Sequence, residues 1–549
     1  MKILLIQPPV RDFYQTSIRT QPIGLAYLAA SLRAHGHEAE ILDCQTERKR
    51  SIPLPPELSY LRDFYPFNDR SPFKLYSGFY HFGMGWEEIR EGIEASKADL
   101  FGVSSLFTPY HGEALEIARI IKEGDPKKIV IMGGAHVSGD PEGVLKSPLV
   151  DYALSGEGEI RFPLLLEKIE TGNKGGIREI DGIGYREDGG MINPLQSFIQ
   201  DLDALPYPAR DLLDLDRYRM KGIRSTMLIT SRGCPHQCAY CSAHLVMGNS
   251  FRTRSPEAIL AEMKECQERY GIQVFDLEDD NFTFDRDRAK RLLHLILQTF
   301  GEGALHLSAM NGISFSSLDG ELLRLMKKAG FDTLNLSFVS ADVDSKKRMR
   351  RPATEVGFDQ IAEEAGQAGL SVIAYGIFGM PGQTIEEMVD TLIDLTGKRV
   401  LIGPSIYYPT PGTPLFSRCR REGILSSYRS QWRSSAFPIE TKEFNRLDLV
   451  TLFRLTRVIN FIKGRMKQGV FDEGLTWRDL SQRLKEKVKV EDGQPQAWVD
   501  LLLLFLNERS FFGLRKEAEG NVAVVKEKGS KRVLDGFFEK AWHQPIRRS

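Results

Sequence analysis

The sequence has almost no net charge, no long apolar run and few cysteines. Its 549 residues carry a formal charge of -1, which gives no electrostatic reason for a nucleic acid or an anionic membrane as main partner. No apolar run reaches the roughly 18 to 20 residues that a bilayer crossing needs. The first residues, "MKILLIQPPV", lack the features of a signal peptide and are typical of a buried strand. We therefore expect a cytoplasmic protein.

Six cysteines are too few for a disulfide framework, but three of them lie close together. Cys234, Cys238 and Cys241 fall within "SRGCPHQCAYCSAH", directly after a predicted strand. A structural zinc takes four closed ligands, and His236 or His244 could supply the fourth. Thiolates also hold iron–sulfur clusters, and three thiolates leave one iron free for another ligand. The residues alone leave both readings open.

The pattern of apolar residues predicts an α/β protein in four parts. Residues 1–170 alternate strand and helix, which predicts a doubly wound parallel sheet, because parallel strands need a crossover between them. Residues 171–222 form a connector with a small β element. Residues 223–420 contain about six further strand–helix units, typical of a partial (β/α)6 barrel with its site at the C-terminal strand ends. Residues 421–549 are mostly helical, and 543–549 are expected to fray.

The cysteine spacing, Cys-x3-Cys-x-aromatic-Cys with Tyr240 as the aromatic residue, resembles the signature of the radical S-adenosylmethionine (SAM) enzymes. The resemblance implies a four-iron, four-sulfur cluster on the three cysteines, with SAM on the free iron and no role for His236 or His244 as ligands. Two later segments, "FDLEDDNFT" and "GIFGMPGQT", are similar to further barrel motifs of that family. They imply SAM-site residues at Asp279, Asp280, Gly379, Pro381 and Gly382.

These later positions also have plain structural readings, and the fourth barrel strand departs from the family. Asp279 and Asp280 can cap the next helix, and the glycines can serve turns. Many relatives carry Gly-Ile-Glu-Ser-Gly on the fourth strand, whereas this chain has "SFVSA" at 337–341. Ser340 is expected to remain at the SAM site. Val339 replaces the carboxylate, so that contact is lost or supplied elsewhere.

The segments before the barrel resemble the cobalamin-binding branch of the same family. The matching pieces are "QPPV", "PIGLAYLAASLRAHGHEAEILD", "GVSS", "GGAHVSGDPE" and "SGEGE", and with the barrel the resemblance covers about residues 1–420. The residues that it places at a cobalamin site are Gln7, Pro8, Pro9, Gly24, Ser104, Ser105, Gly133, Gly134, His136, Gly156 and Glu157. The Asp-x-His-x-x-Gly motif of cobalamin-dependent mutases is absent from the sequence, so we expect no protein histidine on cobalt, with His136 as the alternative.

The combined resemblance implies an enzyme that reductively cleaves SAM to a 5′-deoxyadenosyl radical and acts on an unactivated carbon of a small molecule, with C-methylation as the leading reaction. A non-methylating cyclase or rearrangement enzyme is one alternative. A non-catalytic iron–sulfur and cobalamin carrier or sensor is another, and a first domain that has lost cobalamin is a third. An electron donor such as flavodoxin or ferredoxin is expected as a partner. The sequence identifies no catalytic side chain.

Overall fold

The N-terminal part of the chain is a doubly wound α/β domain. A computed structural model describes residues 1–14, 20–186, 191–352, 357–486, 497–516 and 522–549. The strands of this part are β1 (Lys2–Gln7), β2 (Val10–Asp12), β3 (Glu38–Asp43), β4 (Lys49–Ser51), β5 (Tyr80–Phe82), β6 (Leu100–Ser104), β7 (Ile129–Gly133), β8 (Tyr152–Leu154), β9 (Ile183–Tyr185) and β10 (Met191–Ile192). The helices are α1 (Ile23–Ala34), α2 (Trp86–Ser96), α3 (His111–Gly124), α4 (Ala135–Gly139), α5 (Pro141–Leu145), α6 (Gly158–Glu170) and α7 (Lys174–Ile177).

Seven of these strands form one sheet in the order β10-β9-β8-β7-β6-β1-β3. Five neighbours in this sheet are parallel, namely β3, β1, β6, β7 and β8. The strands β9 and β10 add an antiparallel edge. The parallel strands are buried on both faces, which explains near-continuous apolar runs such as "KILLIQ" in β1. The strand order reverses between β1 and β6, and ligands of doubly wound sheets bind at such a switch point. A small sheet in the order β2-β5-β4 joins β2, which directly follows β1, to the two strands of the insertion after β3.

The middle of the chain forms a six-stranded partial barrel. Its strands, with the short strands beside them, are β11 (Arg219–Met220), β12 (Ile223–Leu228), β13 (Ser231–Arg232), β14 (Arg252–Thr253), β15 (Val274–Leu277), β16 (His306–Ser308), β17 (Thr333–Val339), β18 (Ser371–Phe378) and β19 (Leu401–Ile406). Its helices are α8 (Ala243–Met247), α9 (Pro256–Tyr270), α10 (Arg286–Phe300), α11 (Gly320–Ala329), α12 (Val343–Arg348), α13 (Phe358–Gln367), α14 (Ile385–Thr396) and α15 (Pro414–Arg421).

The six barrel strands pair in parallel, as predicted. β12, β15 and β16 form one half, and β17, β18 and β19 form the other. A parallel bridge between Leu307 and Phe331 links the two halves. The β12 and β19 ends stay open, so the barrel is partial. The predicted α/β fold class, with a doubly wound sheet before a (β/α)6 barrel, is confirmed.

The C-terminal region is helical with one hairpin that the sequence did not predict. It contains α16 (Arg446–Lys467), α17 (Trp477–Lys485), α18 (Ala497–Glu508), the antiparallel pair β20 (Phe512–Lys516) and β21 (Val522–Lys526), and α19 (Lys531–Ala541). The tail does not fray as expected, because Ile546 is fully buried and Lys463 Nζ donates to the Arg547 carbonyl at 2.9 Å. No helix among the described residues is both long and apolar enough for a membrane span.

Buried ion pairs join the C-terminal edge of the sheet to the mouth of the barrel. Glu157, after β8, accepts hydrogen bonds from Arg232 and Arg252 of the barrel, each at 2.9 Å. Glu159 accepts from the other end of Arg232 at 2.6 Å. Buried charges need such partners, because losing one leaves the other uncompensated. The C-terminal ends of the sheet strands and the mouth of the barrel therefore face each other.

Candidate functional site: two adjoining cavities

The three clustered cysteines lie on one loop between β13 and α8. Gly233 precedes Cys234 with a φ of +82°, and a Cβ there would lie 2.3 Å from the Ser250 carbonyl oxygen, so only glycine fits. Cys234, Cys238 and Cys241 all line one cavity of about 700 Å³, which we name the barrel cavity. The loop thus brings its thiols to the C-terminal mouth of the barrel, and Tyr240 lines the same wall.

The surroundings of these thiols suit an iron–sulfur cluster. Within the described ranges, no three His, Cys, Asp or Glu side chains converge on a point where one ion could sit. Two N–H groups lie close to sulfur: that of Ala243 is 3.5 Å from Cys241 Sγ, and Arg351 Nη1 is 3.8 Å from Cys238 Sγ. Such donors stabilise cluster thiolates. Burial raises the pKa of Cys241 to about 11, so metal binding there must release a proton.

The two adjacent aspartates after β15 have different surroundings. Asp279 is 2% exposed, and its carboxylate accepts from the Thr230 N–H at 2.7 Å and from the hydroxyls of Thr230 and Ser231. It fixes the strand end before the cysteine loop and is not in the cavity wall. Asp280 lines the barrel cavity and accepts from the Gly233 N–H at 3.2 Å. Burial raises the pKa of Asp280 to about 6.

Replacing Asp279 by alanine is expected to destabilise the fold by about 3 kcal/mol, because three buried donors lose their acceptor. Chemical denaturation of the purified variant measures this cost. The matched change Asp287→Ala, at an exposed position in the first turn of α10, should alter stability by no more than about 0.5 kcal/mol. An Asp279→Ala protein of unchanged stability but weakened SAM binding would contradict the structural role.

Glu278 is a site residue that the sequence reasoning missed. It lines the barrel cavity, and its Oε2 accepts from Asn311 Nδ2 at 2.6 Å. Asp276, two residues earlier on β15, accepts from the Ser308 hydroxyl at 2.7 Å. Burial, with the charge of Asp276 and a hydrogen bond to it, raises the pKa of Glu278 to about 8. The Glu278 carboxyl therefore keeps its proton at neutral pH.

The residues predicted on the fourth and fifth strands lie outside the barrel cavity wall. Ser340 is fully buried, with its Oγ 3.2 Å from Thr391 Oγ1. The loop after β18 packs on other elements: the Pro381 carbonyl accepts from Arg418 Nη1 at 3.0 Å, and a Cβ on Gly382 would lie 2.8 Å from that same atom. A Cβ on Gly379 would lie 2.9 Å from Leu449 of α16. In this geometry the three residues shape a turn.

Val339, which stands where relatives carry a carboxylate, lines the barrel cavity in a strained conformation. Its φ is +70°, and the pairing of β17 with β18 shifts register between Ser337 and Val339. A positive φ is a genuine outlier for a β-branched residue and is tolerated where the surroundings hold it. The departure from the family pattern thus leaves an apolar patch of cavity wall at this point.

A second cavity of about 380 Å³, which we name the sheet cavity, lies at the switch point of the N-terminal sheet. Seven predicted residues line it: Gln7, Gly24, Ser104, Gly133, Gly134, Gly156 and Glu157. A Cβ added to Gly24 would have nothing within 4 Å, so the backbone there is open to a ligand. Gln7 Oε1 is buried without a hydrogen-bond partner among the described residues. An open backbone cradle with an unpaired buried acceptor fits a large polar ligand such as cobalamin.

The other four predicted residues lie outside the wall of the sheet cavity: Pro8, Pro9, Ser105 and His136. Ser105 Oγ is 3.1 Å from His111 Nδ1, and His136 Nδ1 is 3.1 Å from Thr108 Oγ1. Burial lowers the pKa of His136 to about 3, so its ring is neutral. Of the described residues, no histidine lines the sheet cavity.

The two cavities adjoin, because six residues line both of them: Phe107, Ala135, Val246, Met247, Glu278 and Asn311. Phe107 and Ala135 follow strands of the sheet, whereas Glu278 and Asn311 follow strands of the barrel. The side chains at this border combine apolar surface with one protonated carboxyl and one amide. A molecule at the border would contact the contents of both cavities.

Two family models match the two halves of this arrangement. The model described as the radical SAM superfamily matches residues 228–395, which contain the cysteine loop. The model described as the B12 binding domain matches residues 78–166, which contain most of the sheet-cavity wall after β6, β7 and β8. The segment that matches the radical SAM model carries the cysteines of the barrel cavity, and the segment that matches the B12 model carries residues of the sheet cavity.

Curated relatives align over most of the chain. An uncharacterised methyltransferase of Pyrococcus horikoshii is 26% identical over 85% of this chain and 94% of its own length. Cytidylyl-2-hydroxyethylphosphonate methyltransferase of Streptomyces wedmorensis is 27% identical over 79% of this chain and 84% of its own. An anaerobic magnesium-protoporphyrin IX monomethyl ester cyclase of Synechocystis is 26% identical over 64% of this chain and 63% of its own.

A solved structure shares the fold. The radical SAM methyltransferase TsrM of Kitasatospora setae, with cobalamin and a [4Fe-4S] cluster bound, superposes with a TM-score of 0.58. The alignment covers 79% of this chain and 82% of that one at 17% identity. At that identity the likeness concerns the arrangement of the domains and their strands.

Proposed function

We propose that this chain is a cobalamin-dependent radical SAM enzyme that transfers a methyl group to an unactivated carbon of a small molecule bound where its two cavities adjoin. One observation carries the proposal: six residues line both cavities, so a substrate there can meet both cofactors. Neither cavity alone offers that geometry.

The residues present suit the cofactors that the two domains imply. Cys234, Cys238 and Cys241 would hold the four-iron, four-sulfur cluster, and the sheet-cavity residues would hold cobalamin. When bound, the cluster with SAM supplies a 5′-deoxyadenosyl radical, and cobalamin supplies the methyl group. The protein contributes position and the exclusion of water, which suits the apolar side chains at the border.

The side chains at the border would orient the substrate. Asn311 Nδ2 donates to Glu278 Oε2, and a protonated Glu278 can offer both a donor and an acceptor to a neutral substrate group. Because Asp276 and Asp280 also lie in or beside this wall, an anionic group on the substrate would be repelled there. A hydroxyl or amine next to the reacting carbon suits this border better than a phosphate.

The relatives favour methylation over the alternatives without excluding them. The two that align over most of this chain are methyltransferases by name, whereas the cyclase aligns over less of it. Incubation with SAM, a reductant, methylcobalamin and candidate substrates under anaerobic conditions separates the reactions. A product heavier by one methylene, with the label from methyl-labelled SAM, is expected. A product without added carbon would contradict methyl transfer and favour cyclisation or rearrangement.

The raised pKa of Glu278 predicts a pH dependence. Below about pH 8 the carboxyl is protonated, and above it a charge appears beside Asp276, so the rate of 5′-deoxyadenosine formation should fall through that pH. Glu278→Gln resembles the protonated form and should keep the rate at pH 7 within about twofold while losing the fall. The control Glu268→Gln, at an exposed position of α9, should keep the wild-type profile. A fall that persists in Glu278→Gln would assign it to another group.

Further parts of the proposal rest on sequence and chemistry together. We propose domain boundaries at 170, 222 and 420 from the changes in strand and helix pattern, with β9 and β10 of the connector completing the N-terminal sheet. We propose a cytoplasmic site of action, because free thiols that assemble an iron–sulfur cluster need a reducing compartment. Reductive cleavage of SAM also needs an external electron, so a flavodoxin or ferredoxin is proposed as the partner protein.

A further inference from the structure

We infer that the exposed basic residues of α12 and the turn after it form the docking surface for an acidic electron-carrier protein. This inference rests on the proposed function, since only reductive cleavage of SAM requires such a carrier. Five of the six residues from Lys346 to Arg351 are Lys or Arg, in a chain whose net charge is only -1. We name Lys347, Arg348 and Arg350 the basic patch.

Only one layer of side chains separates the basic patch from the cysteine loop. Met349, in its centre, is fully buried, and its carbonyl accepts the Ala239 N–H at 2.9 Å. Ala239 is the neighbour of Cys238. Arg351, at the end of the run, lies 3.8 Å from Cys238 Sγ and donates to Ser337 Oγ at 2.6 Å. Met349 and Arg351 therefore touch the cysteine loop directly, while Lys347, Arg348 and Arg350 are exposed.

The side chains of the patch are accessible. The Lys347 side chain is 74% exposed and that of Arg348 is 38% exposed. Each has one acidic neighbour: Asp344 is 3.2 Å from Lys347, and Glu387 is 2.7 Å from Arg348. Arg350 is exposed, and no ion pair or hydrogen bond of its side chain is found within the described residues. Val343, 61% exposed on the same helix, supplies an apolar contact beside the charges.

The other exposed flank of the cysteine loop suits an acidic partner less well. His236 packs on Phe284 there, with ring centroids 5.7 Å apart. The next residues, Asp285, Arg286 and Asp287, alternate in charge, and the Arg286 side chain is 40% exposed between the two exposed aspartates. An acidic carrier would meet mixed charge on that flank and mainly opposite charge at the basic patch, and charge complementarity steers association and fixes orientation.

Electron transfer explains why the position matters. Transfer through protein falls steeply with distance, so a carrier must dock where little protein separates it from the acceptor. The step moves one electron: the carrier is oxidised by one electron, the cluster site gains it, and no atom or proton is exchanged. At the basic patch only the layer formed by Met349 and Arg351 intervenes.

The test compares a patch variant with a matched control. Lys347→Gln/Arg348→Gln/Arg350→Asn removes three charges, and asparagine tolerates the φ of +55° at position 350. Arg324→Gln/Lys327→Gln/Lys328→Gln removes three charges from α11, which has no residue in either cavity wall. SAM cleavage is driven in turn by reduced flavodoxin, reduced ferredoxin and dithionite, and binding of oxidised flavodoxin is measured by calorimetry.

The patch variant should lose on the order of tenfold in flavodoxin-driven rate and in flavodoxin affinity at low salt, while the dithionite-driven rate and the α11 control stay within about twofold. The wild-type flavodoxin rate should also fall with added salt, which tests the proposal without any variant. An unchanged patch variant, or an equal loss in the α11 control, would overturn it.

The outcomes also separate this inference from the proposed function. If dithionite yields no 5′-deoxyadenosine from the cluster-loaded wild type, the proposed function fails, and flavodoxin binding still decides the docking surface. If the patch variant assembles less cluster than the wild type, Arg350→Asn alone replaces it in the binding measurement. A salt-independent wild-type affinity would then count against docking at this patch.

Discussion

Cys238→Ala is expected to abolish cluster assembly and to lower 5′-deoxyadenosine formation by on the order of 10³-fold or more, while the protein keeps its fold and its cobalamin. Cys238 is buried, lines the barrel cavity and lies beside Arg351, whose guanidinium reaches its sulfur. Three thiolates bind three irons and leave the fourth iron free for SAM. When one thiolate is removed, the remaining two cannot hold such a cluster. Iron content and the cluster absorption measure the first effect, and chromatography of the nucleoside measures the second.

A matched cysteine makes the control for this prediction. Cys266 is also buried, but it lies on α9 and in neither cavity wall. Cys266→Ala should cost about 1 kcal/mol of stability from lost packing and should leave cluster content unchanged. Equal cluster content in Cys238→Ala and the wild type would refute the ligand assignment, and a single zinc retained by both would favour the alternative metal.

Gly24→Phe is expected to remove cobalamin binding and methylated product while SAM cleavage stays within about threefold. A Cβ at Gly24 meets nothing within 4 Å, so the ring enters the sheet cavity without straining α1. Phenylalanine is also a better helix residue than glycine. The ring would occupy space that the corrin needs, and an affinity loss of about two orders of magnitude, near 3 kcal/mol, is expected.

Two separate measurements report on the two cavities in this variant. The absorption of bound cobalamin reports the sheet cavity, and 5′-deoxyadenosine reports the barrel cavity. Gly124→Phe, at the exposed end of α3 where a Cβ also meets nothing, is the control and should bind cobalamin normally. Retained cobalamin in Gly24→Phe would place the cofactor elsewhere, and methylated product without cobalamin would exclude its role as donor.

The features that are local in sequence could be predicted, because local patterns determine them. Alternating strands and helices indicated both parallel sheets, and the C-terminal ends of the strands indicated where ligands bind. The cysteine loop was visible because its three thiols lie within a few residues. The resemblance of the strand ends and of the segment around Gly24 to the cobalamin-binding branch likewise identified seven residues that line the sheet cavity.

The residues that were missed depend on direction or on distant contacts. Directly after β15 the side chains still alternate in direction, so the cavity receives Glu278 and Asp280 while Asp279 is buried elsewhere. Reading that alternation outward from Asp280 would have found Glu278. The pairing of Glu157 with Arg232 joins residues 75 positions apart, and no local pattern announces it. The position of the C-terminal tail likewise depends on contacts between Ile546 and residues far away in the sequence.

The central claim, that cluster and cobalamin occupy adjoining cavities, is tested most directly by electron paramagnetic resonance. The protein is loaded with both the reduced cluster and cobalt(II) cobalamin, and its spectrum is compared with those of singly loaded samples. A magnetic interaction between the two centres is predicted, lost in both Cys238→Ala and Gly24→Phe. A spectrum equal to the sum of the two singly loaded spectra would contradict the claim.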